Sequence, residues 1–382
     1  MSAAPKSATR DVDGHIKKIY GGRKMKKILS ILLTAVLIGG TILCFTGCGS
    51  TEAGKNGEVN VYNWGEYMSL GEDDLKNVIE EFEDETGIKV NYTTYDTNEE
   101  LYSKLTQSND SYDVVIPSEY MISKLIKENL LKEIDFDNVP NYKYIDDRFK
   151  KLPCDPEGKY TVCYSWGVTA MVYNKTMVKD TPEDWDALWN SDLKGNILMF
   201  NNSRDAMAIA MQMCGIDPSN CTKADVDKAV EKLKEQKPLL KKYVMDQVFN
   251  EMEGNQAAIA PYYAGDIATM IDENEDLEYC LPKSGSNLFY DAMCIPTCSK
   301  NTKNAEKFIN FMQKPEIAAE NCKYLRYGTP NTEASDYLDD DIKESELTFP
   351  PEDYLDKCYI FQDVDEEVYA YMQEQFLKVQ AK

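Results

Sequence analysis

The chain has 382 residues, 43% of them hydrophobic and 11% aromatic, which is apolar material enough for two globular domains. Its 66 acidic residues against 42 basic give a net charge of −24, which excludes nucleic acid and anionic lipid headgroups as electrostatic partners. The balance suits a cationic ligand, although a well-solvated surface accounts for most of the excess.

Residues 1–24 precede a self-contained export signal and take no part in the fold reasoning. From Met25 the sequence runs Lys26-Lys27, an apolar stretch from Ile28 to Phe45, then Thr46-Gly47-Cys48. A basic start, an apolar core too short for a comfortable span and small residues before a cysteine predict a lipoprotein-type signal. The leader is then 1–47, and the mature chain starts at a lipidated Cys48 outside the cytoplasmic membrane, followed by a polar tether over 48–57. A plain signal peptide or a retained anchor helix, with Cys48 an ordinary residue, is the alternative. Cleavage removes the single histidine, His15, so imidazole triads, histidine-assisted thiols and histidine metal sites are all excluded. The leader carries eight basic and two acidic residues, so its loss leaves a net charge of −30.

From Gly57 strand and helix alternate: Val59–Tyr62 extended, Leu75–Thr86 helical and amphipathic, Gly87–Tyr92 extended, Glu99–Thr106 helical, Tyr112–Ile116 extended. This βαβαβ order predicts a parallel sheet covered by helices. Glu119 reads as a solvated residue opening a helix that runs to Asn129. Trp185 and Trp189 fall four apart on one helix face and read as packing residues. A second alternating set includes Thr169–Tyr173, Asn196–Phe200, the helix Lys223–Gln236 and Ala257–Ala260, a second α/β lobe. Ala292–Pro296, a helix Asn304–Met312 and a helical tail Glu366–Val379 complete the chain. Nine cysteines follow Cys48, an odd number, with close pairs Cys154/Cys163, Cys214/Cys221 and Cys294/Cys298. The first pair flanks a turn and could bridge a hairpin, but spacing fixes no connectivity; several of these cysteines sit in apolar runs, as small buried thiols do. No CxxC spacing supports a zinc site.

Open parallel sheets bind ligands past the carboxyl ends of their strands. There the sequence repeatedly sets an aromatic residue beside a carboxylate: Trp64 and Tyr67 around Glu66, Glu119 before Tyr120, Tyr262-Tyr263 before Asp266, Phe289 before Asp291. Rings and carboxylates together suit a flexible organic cation, whose methylenes stack while its ammonium groups take ion pairs and cation–π contacts. Sugar sites share this vocabulary, and a tyrosine beside a strand is as readily a core residue.

The stretches Asn63-Trp64-Gly65-Glu66-Tyr67, Tyr112-Asp113-Val114-Val115-Ile116-Pro117-Ser118, Asn201-Asn202-Ser203-Arg204-Asp205, Tyr263-Ala264-Gly265-Asp266, Phe289-Tyr290-Asp291 and Tyr327-Gly328-Thr329-Pro330-Asn331 carry a resemblance in their order and spacing. Over essentially the whole mature length the chain resembles the substrate-binding proteins of bacterial spermidine/putrescine ABC transporters. The resemblance implies an α/β, two-lobed type II periplasmic-binding-protein fold with a crossover hinge, lobe one being 58–166 and 292–345, lobe two 167–291 and 346–382. It implies a polyamine in the interlobe cleft, with Trp64 and Tyr67 lining it, Glu66 binding a terminal amine, and Ser118 and Tyr120 adding a hydroxyl and a ring. The second lobe would contribute Asp205, Tyr262 or Tyr263, Asp266, Phe289 and Asp291, and the tail Gln362. Permease subunits of an importer are the implied partners of a monomer without cofactor or metal, held at the membrane by lipid on Cys48.

The sequence departs from the family where tyrosine or phenylalanine, at Tyr262 or Tyr263 and Phe289, replaces tryptophan, and where Asn202 replaces an acid. Asp266 resembles putrescine-preferring relatives and Glu66 spermidine binders, so only the polyamine class is expected. The rivals are a protein of this fold for a sugar, thiamine or ferric ion, and a hydrolase using paired carboxylates. Opening is expected about crossovers near Trp166, Asp291 and Asp340. Without histidine, affinity is expected to stay flat between pH 6 and 8.

Overall fold

The computed structural model describes residues 54–72 and 74–381, so the export signal and Cys48 lie outside the described residues. Residues 54–57, the end of the expected tether, turn back on the body: the Gly54 and Asn56 N–H groups both donate to the Gly87 carbonyl at 3.1 Å. Strand β1 (Glu58–Trp64) turns Val59 and Val61 into one apolar cluster and Tyr62 into another, as alternation dictates. Helix α1 (Val78–Thr86) begins at Val78 rather than Leu75 because the Asn77 side chain caps it, accepting from the N–H groups of Ile79 and Glu80. Strand β2 (Lys89–Tyr95), helix α2 (Asn98–Gln107) and strand β3 (Val114–Val115) complete the expected βαβαβ unit. Both β2 and β3 pair parallel with β1, in the order β2-β1-β3. Helix α3 (Glu119–Lys127) follows at once, with Ser118 at its cap position.

After β4 (Leu131–Lys132), strand β5 (Val162–Asn174) runs 13 residues, all buried, out of the first lobe and into the second. The second lobe then adds β6 (Ile197–Phe200), α4 (Ser203–Met213), α5 (Lys223–Gln236), β7 (Leu240–Val244), α6 (Gln247–Glu253), β8 (Ile259–Tyr263), α7 (Ala264–Glu273), β9 (Leu277–Cys280) and β10 (Leu288–Met293). Their sheet has the order β10-β5-β8-β6-β7, with β9 also on β5. The chain returns through β11 (Ile295–Pro296), which pairs with β4, to α8 (Thr302–Met312) against β1, then α9 (Pro315–Leu325). Short helices α10 (Asp340–Lys343) and α11 (Glu352–Leu355) lead to α12 (Glu366–Ala381), which packs on α4 and α5. Among the described residues no helix is long and apolar enough to cross a membrane.

The two α/β lobes expected are thus present, and β5 and β10 cross between them as an antiparallel pair that sets Trp166 opposite Tyr290 and Ser165 opposite Asp291. The register slips between Asp291 and Ala292, leaving Tyr164 as an extra residue on β5. Such a bulge re-aims a side chain where a ladder would otherwise fix it. The Trp166 and Gly328 backbones exchange hydrogen bonds at 3.0 and 2.9 Å, which ties the returning chain to the same point. Trp185 and Trp189 do pack, but on a short 3₁₀ turn, and their indole N–H groups donate to the Gly285 and Lys232 carbonyls. Cys154 and Cys163 are both free thiols, as are the other seven described cysteines, so the bridged-hairpin option falls. The Tyr290 hydroxyl donates to Cys154 Sγ at 3.7 Å.

Candidate ligand-binding site

The strand ends converge as the open-sheet rule requires. Strand β1 delivers Trp64 and Tyr67, β3 delivers Ser118, β8 with the first turn of α7 delivers Tyr263 and Asp266, and β10, opposite the bulge on β5, delivers Asp291 beside Phe289. Three aspartates then meet one tyrosine hydroxyl each. Tyr67 donates to Asp291 Oδ2 at 2.7 Å, Tyr263 to Asp205 Oδ2 at 3.0 Å, and Tyr327 to Asp266 Oδ2 at 3.0 Å. The rings that carry these hydroxyls form a continuous wall. Tyr67 and Tyr327 lie 6.3 Å apart between centroids, Tyr327 and Phe289 5.6 Å, Phe289 and Tyr263 5.6 Å, all within the range of favourable aromatic pairs. Trp64 packs against Tyr95 at 4.6 Å. Gly265 makes room for this wall: a Cβ there would lie 2.7 Å from the Tyr327 ring, which explains a glycine directly before Asp266.

The electrostatics of these carboxylates differ from those of a purely structural one. Asp113 is buried too, yet it accepts six hydrogen bonds from Asn60, Ser299, Lys300 and Asn301. Burial alone would raise it, and those donors hold it below the ordinary carboxylate range. The cleft aspartates have too few donors to offset burial. Asp291, 5% exposed, is pushed up to about 6 by burial, which outweighs the opposing influence of nearby Ser118 and of the Tyr67 hydroxyl. Its Oδ1 is buried without a hydrogen-bond partner, an acceptor still able to receive a donor. Asp205 is raised to about 6 and Asp266 to about 7, again by burial first. These values overturn the expectation that nothing in the cleft titrates between pH 6 and 8: burial among carboxylates does what histidine does elsewhere.

Other sequence candidates land differently. Tyr262 is core, 2% exposed, stacked on Phe200 with its hydroxyl donating to Asp246 at 3.1 Å, so Tyr263 is the member of the pair that joins the cluster. Glu66 is exposed on a turn where its φ of 52° is left-handed, and Gln362 is exposed ahead of α12, its N–H donating to the Ser219 carbonyl. Tyr120 has the Arg204 guanidinium 4.0 Å from its ring centroid, and its hydroxyl shares the Asn98 side-chain amide with Ser118. Glu119 is not the solvated residue expected. It is 2% exposed, its Oε2 takes only a long 3.5 Å bond from the Tyr290 N–H, and burial followed by the nearby charge of Asp291 raises it to about 8. Sequence reasoning also missed Tyr327 as a site residue, although its stretch was among those that carried the resemblance. Only the fold brings it to Asp266, 61 residues away.

A family description for bacterial extracellular solute-binding proteins matches residues 77–350. A spermidine/putrescine-binding periplasmic protein of Salmonella typhimurium is 29% identical over 337 residues, covering 88% of this chain and 95% of that relative. The solved structure of a spermidine/putrescine ABC-transporter substrate-binding protein from Streptococcus pneumoniae is similar with a TM-score of 0.77 at 34% identity, covering 85% of this chain and 98% of that one. A second solved structure, from Listeria monocytogenes, has a TM-score of 0.78 at 38% identity over the same shares.

Proposed function

The chain belongs to the bacterial extracellular solute-binding proteins, and within that family we propose that it is an extracytoplasmic receptor for polyamines, putrescine or spermidine, serving an ABC importer. The observation that carries this reading is the row of three aspartates, each held by one tyrosine and linked through rings. Among the described residues no lysine or arginine forms an ion pair with Asp205, Asp266 or Asp291. Buried carboxylates without cations are unstable as charges, so a diamine or triamine supplies what the protein withholds. In this account the ammonium groups pair with Asp291 and with Asp266 or Asp205, while the methylenes lie on Tyr67, Phe289, Tyr263 and Trp64. The Tyr67 hydroxyl holds the Asp291 carboxylate, and a backbone bridge to Ser118 holds its strand.

The lobes are taken as 58–166 with 292–345 and 167–291 with 346–382. A ligand touching both binds the closed arrangement better than the open one, so closure follows from differential affinity. Delivery to the permease, a monomeric state and attachment through a lipidated Cys48 complete the proposal, and the ligand leaves chemically unchanged. Equilibrium dialysis with labelled putrescine followed by mass spectrometry tests this: bound, unmodified putrescine is expected, and a converted product would replace the receptor reading with an enzyme. Small-angle scattering should show a smaller radius of gyration at saturation; an identical value would count against closure.

A further inference from the structure

Tyr120, Lys124 and Lys127 recur on α3 at helical spacing and so share one face. That face of the first lobe meets the second. Lys124 Nζ lies 2.8 Å from Glu366 Oε1 and Lys127 Nζ 3.8 Å from Asp363 Oδ2. Above Tyr120 sits the guanidinium of Arg204, in the first turn of α4. The same guanidinium lies 4.7 Å from the Tyr369 ring centroid and 5.4 Å from that of Phe361. One arginine therefore occupies a cage of three rings, one from the first lobe and two from the second. The parts that carry the cage are anchored: the Asn98 side-chain amide donates to the Tyr120 hydroxyl at 3.0 Å, and the backbone N–H of Arg204 donates to Asn202 Oδ1 at 2.9 Å, capping the first turn of α4.

We propose that the α3 face, Arg204 and the segment 361–369 form a clasp that holds the lobes together beside the cleft, so that ligand residence depends on residues that need not touch the ligand. The proposal rests on the lobe-closure reading above. It also gives Tyr120, expected from the sequence as a ligand ring, a second role in the clasp, and gives the exposed stretch around Gln362 a role as the clasp's far side. The contacts are unequal. Glu366 is 86% exposed, and ion pairs so open to water are weak and screened by salt. The caged guanidinium is half-buried between rings, where cation–π attraction is stronger. Contacts present only in the closed arrangement lower its free energy relative to the open one and appear mainly in the dissociation rate.

Two readouts test the clasp. In stopped-flow with putrescine, Arg204→Gln should raise the dissociation rate about tenfold, the order expected for losing a partly desolvated caged cation. Lys124 also pairs with Glu128 at 3.1 Å, so the exposed pair is tested from its other end: Glu366→Gln should raise the rate only about twofold, as expected for a weak exposed pair. Small-angle scattering of the putrescine-saturated protein gives the second readout: Arg204→Gln should have a larger radius of gyration than the saturated parent, with an unchanged circular dichroism spectrum. Wild-type dissociation in Arg204→Gln, or an unchanged radius of gyration in that folded variant, would overturn the clasp. Should the wild type bind neither putrescine nor spermidine, the polyamine reading fails, and the same scattering comparison, made with whichever of maltose, thiamine or ferric ion does bind, still decides the clasp.

Discussion

Replacing Asp291 by asparagine separates a ligand-pairing carboxylate from a merely structural one. Asp291 is 5% exposed, accepts one hydrogen bond from Tyr67 at 2.7 Å, and holds Oδ1 buried without a partner. Asparagine keeps the shape and removes the charge, and its amide can turn N–H donors toward an ammonium group. Removing one partner of a desolvated charge pair costs about 2–5 kcal/mol. Asp205 and Asp266 still draw the ligand in, so the middle of that range applies, about 3 kcal/mol or roughly a 150-fold rise in the dissociation constant. The ligand-free variant should fold at least as stably as the parent, because an uncompensated buried carboxyl has gone. Isothermal titration with putrescine, alongside thermal unfolding of the empty protein, reads both quantities. A folded variant whose dissociation constant lies within about threefold of the parent's would refute the pairing of an ammonium group with Asp291.

Affinity should fall as pH drops from 8 to 5.5, because Asp266 raised to about 7 and Asp205 and Asp291 raised to about 6 must each lose a proton to pair with an ammonium group. Below its own value each group should weaken binding by about tenfold per pH unit, and a flat profile in calorimetry would contradict the burial argument. Glu119, raised from its ordinary 4.5 to about 8, keeps its proton in the folded chain while the unfolded chain loses it, so its contribution is full below pH 4.5 and is lost as pH climbs to 8. Glu119→Gln is neutral throughout and should gain in melting temperature over the parent between pH 5 and 8; a gap that does not widen would place Glu119 in a more polar setting than the fold gives it. Cys48→Ala should leave the protein unprocessed or released to the medium, and processed protein that still fractionates with membranes would rule out the lipid anchor.

Local patterns made much of the architecture legible. The alternation from Val59 to Ile116 gave the parallel βαβαβ unit because each strand there buries at least one face and each helix starts on a recognisable cap. Pairing aromatics with carboxylates pointed to Tyr67, Tyr263, Phe289 and Asp291 for a sound reason: strand ends and helix starts are where such side chains meet a cleft. What stayed hidden depends on contacts distant in sequence. Nothing local in Phe289-Tyr290-Asp291 announces a bulge, since the extra residue, Tyr164, belongs to the other strand. Glu119 reads as an ordinary helix-opening acid until β10 covers it, and Tyr327 reads as one more loop tyrosine until the fold sets it against Gly265 and Asp266. Gln362 and Glu66, carried over by resemblance, lie exposed, and their positions follow from how the tail and the first turn wrap the lobes.

The most direct test of the central claim is calorimetric titration of the purified mature protein at pH 8 with putrescine, spermidine, maltose, thiamine and ferric citrate in parallel. The account predicts saturable one-to-one binding of a polyamine and heats of dilution alone for the other three. Binding of maltose, thiamine or ferric ion with neither polyamine bound would contradict it.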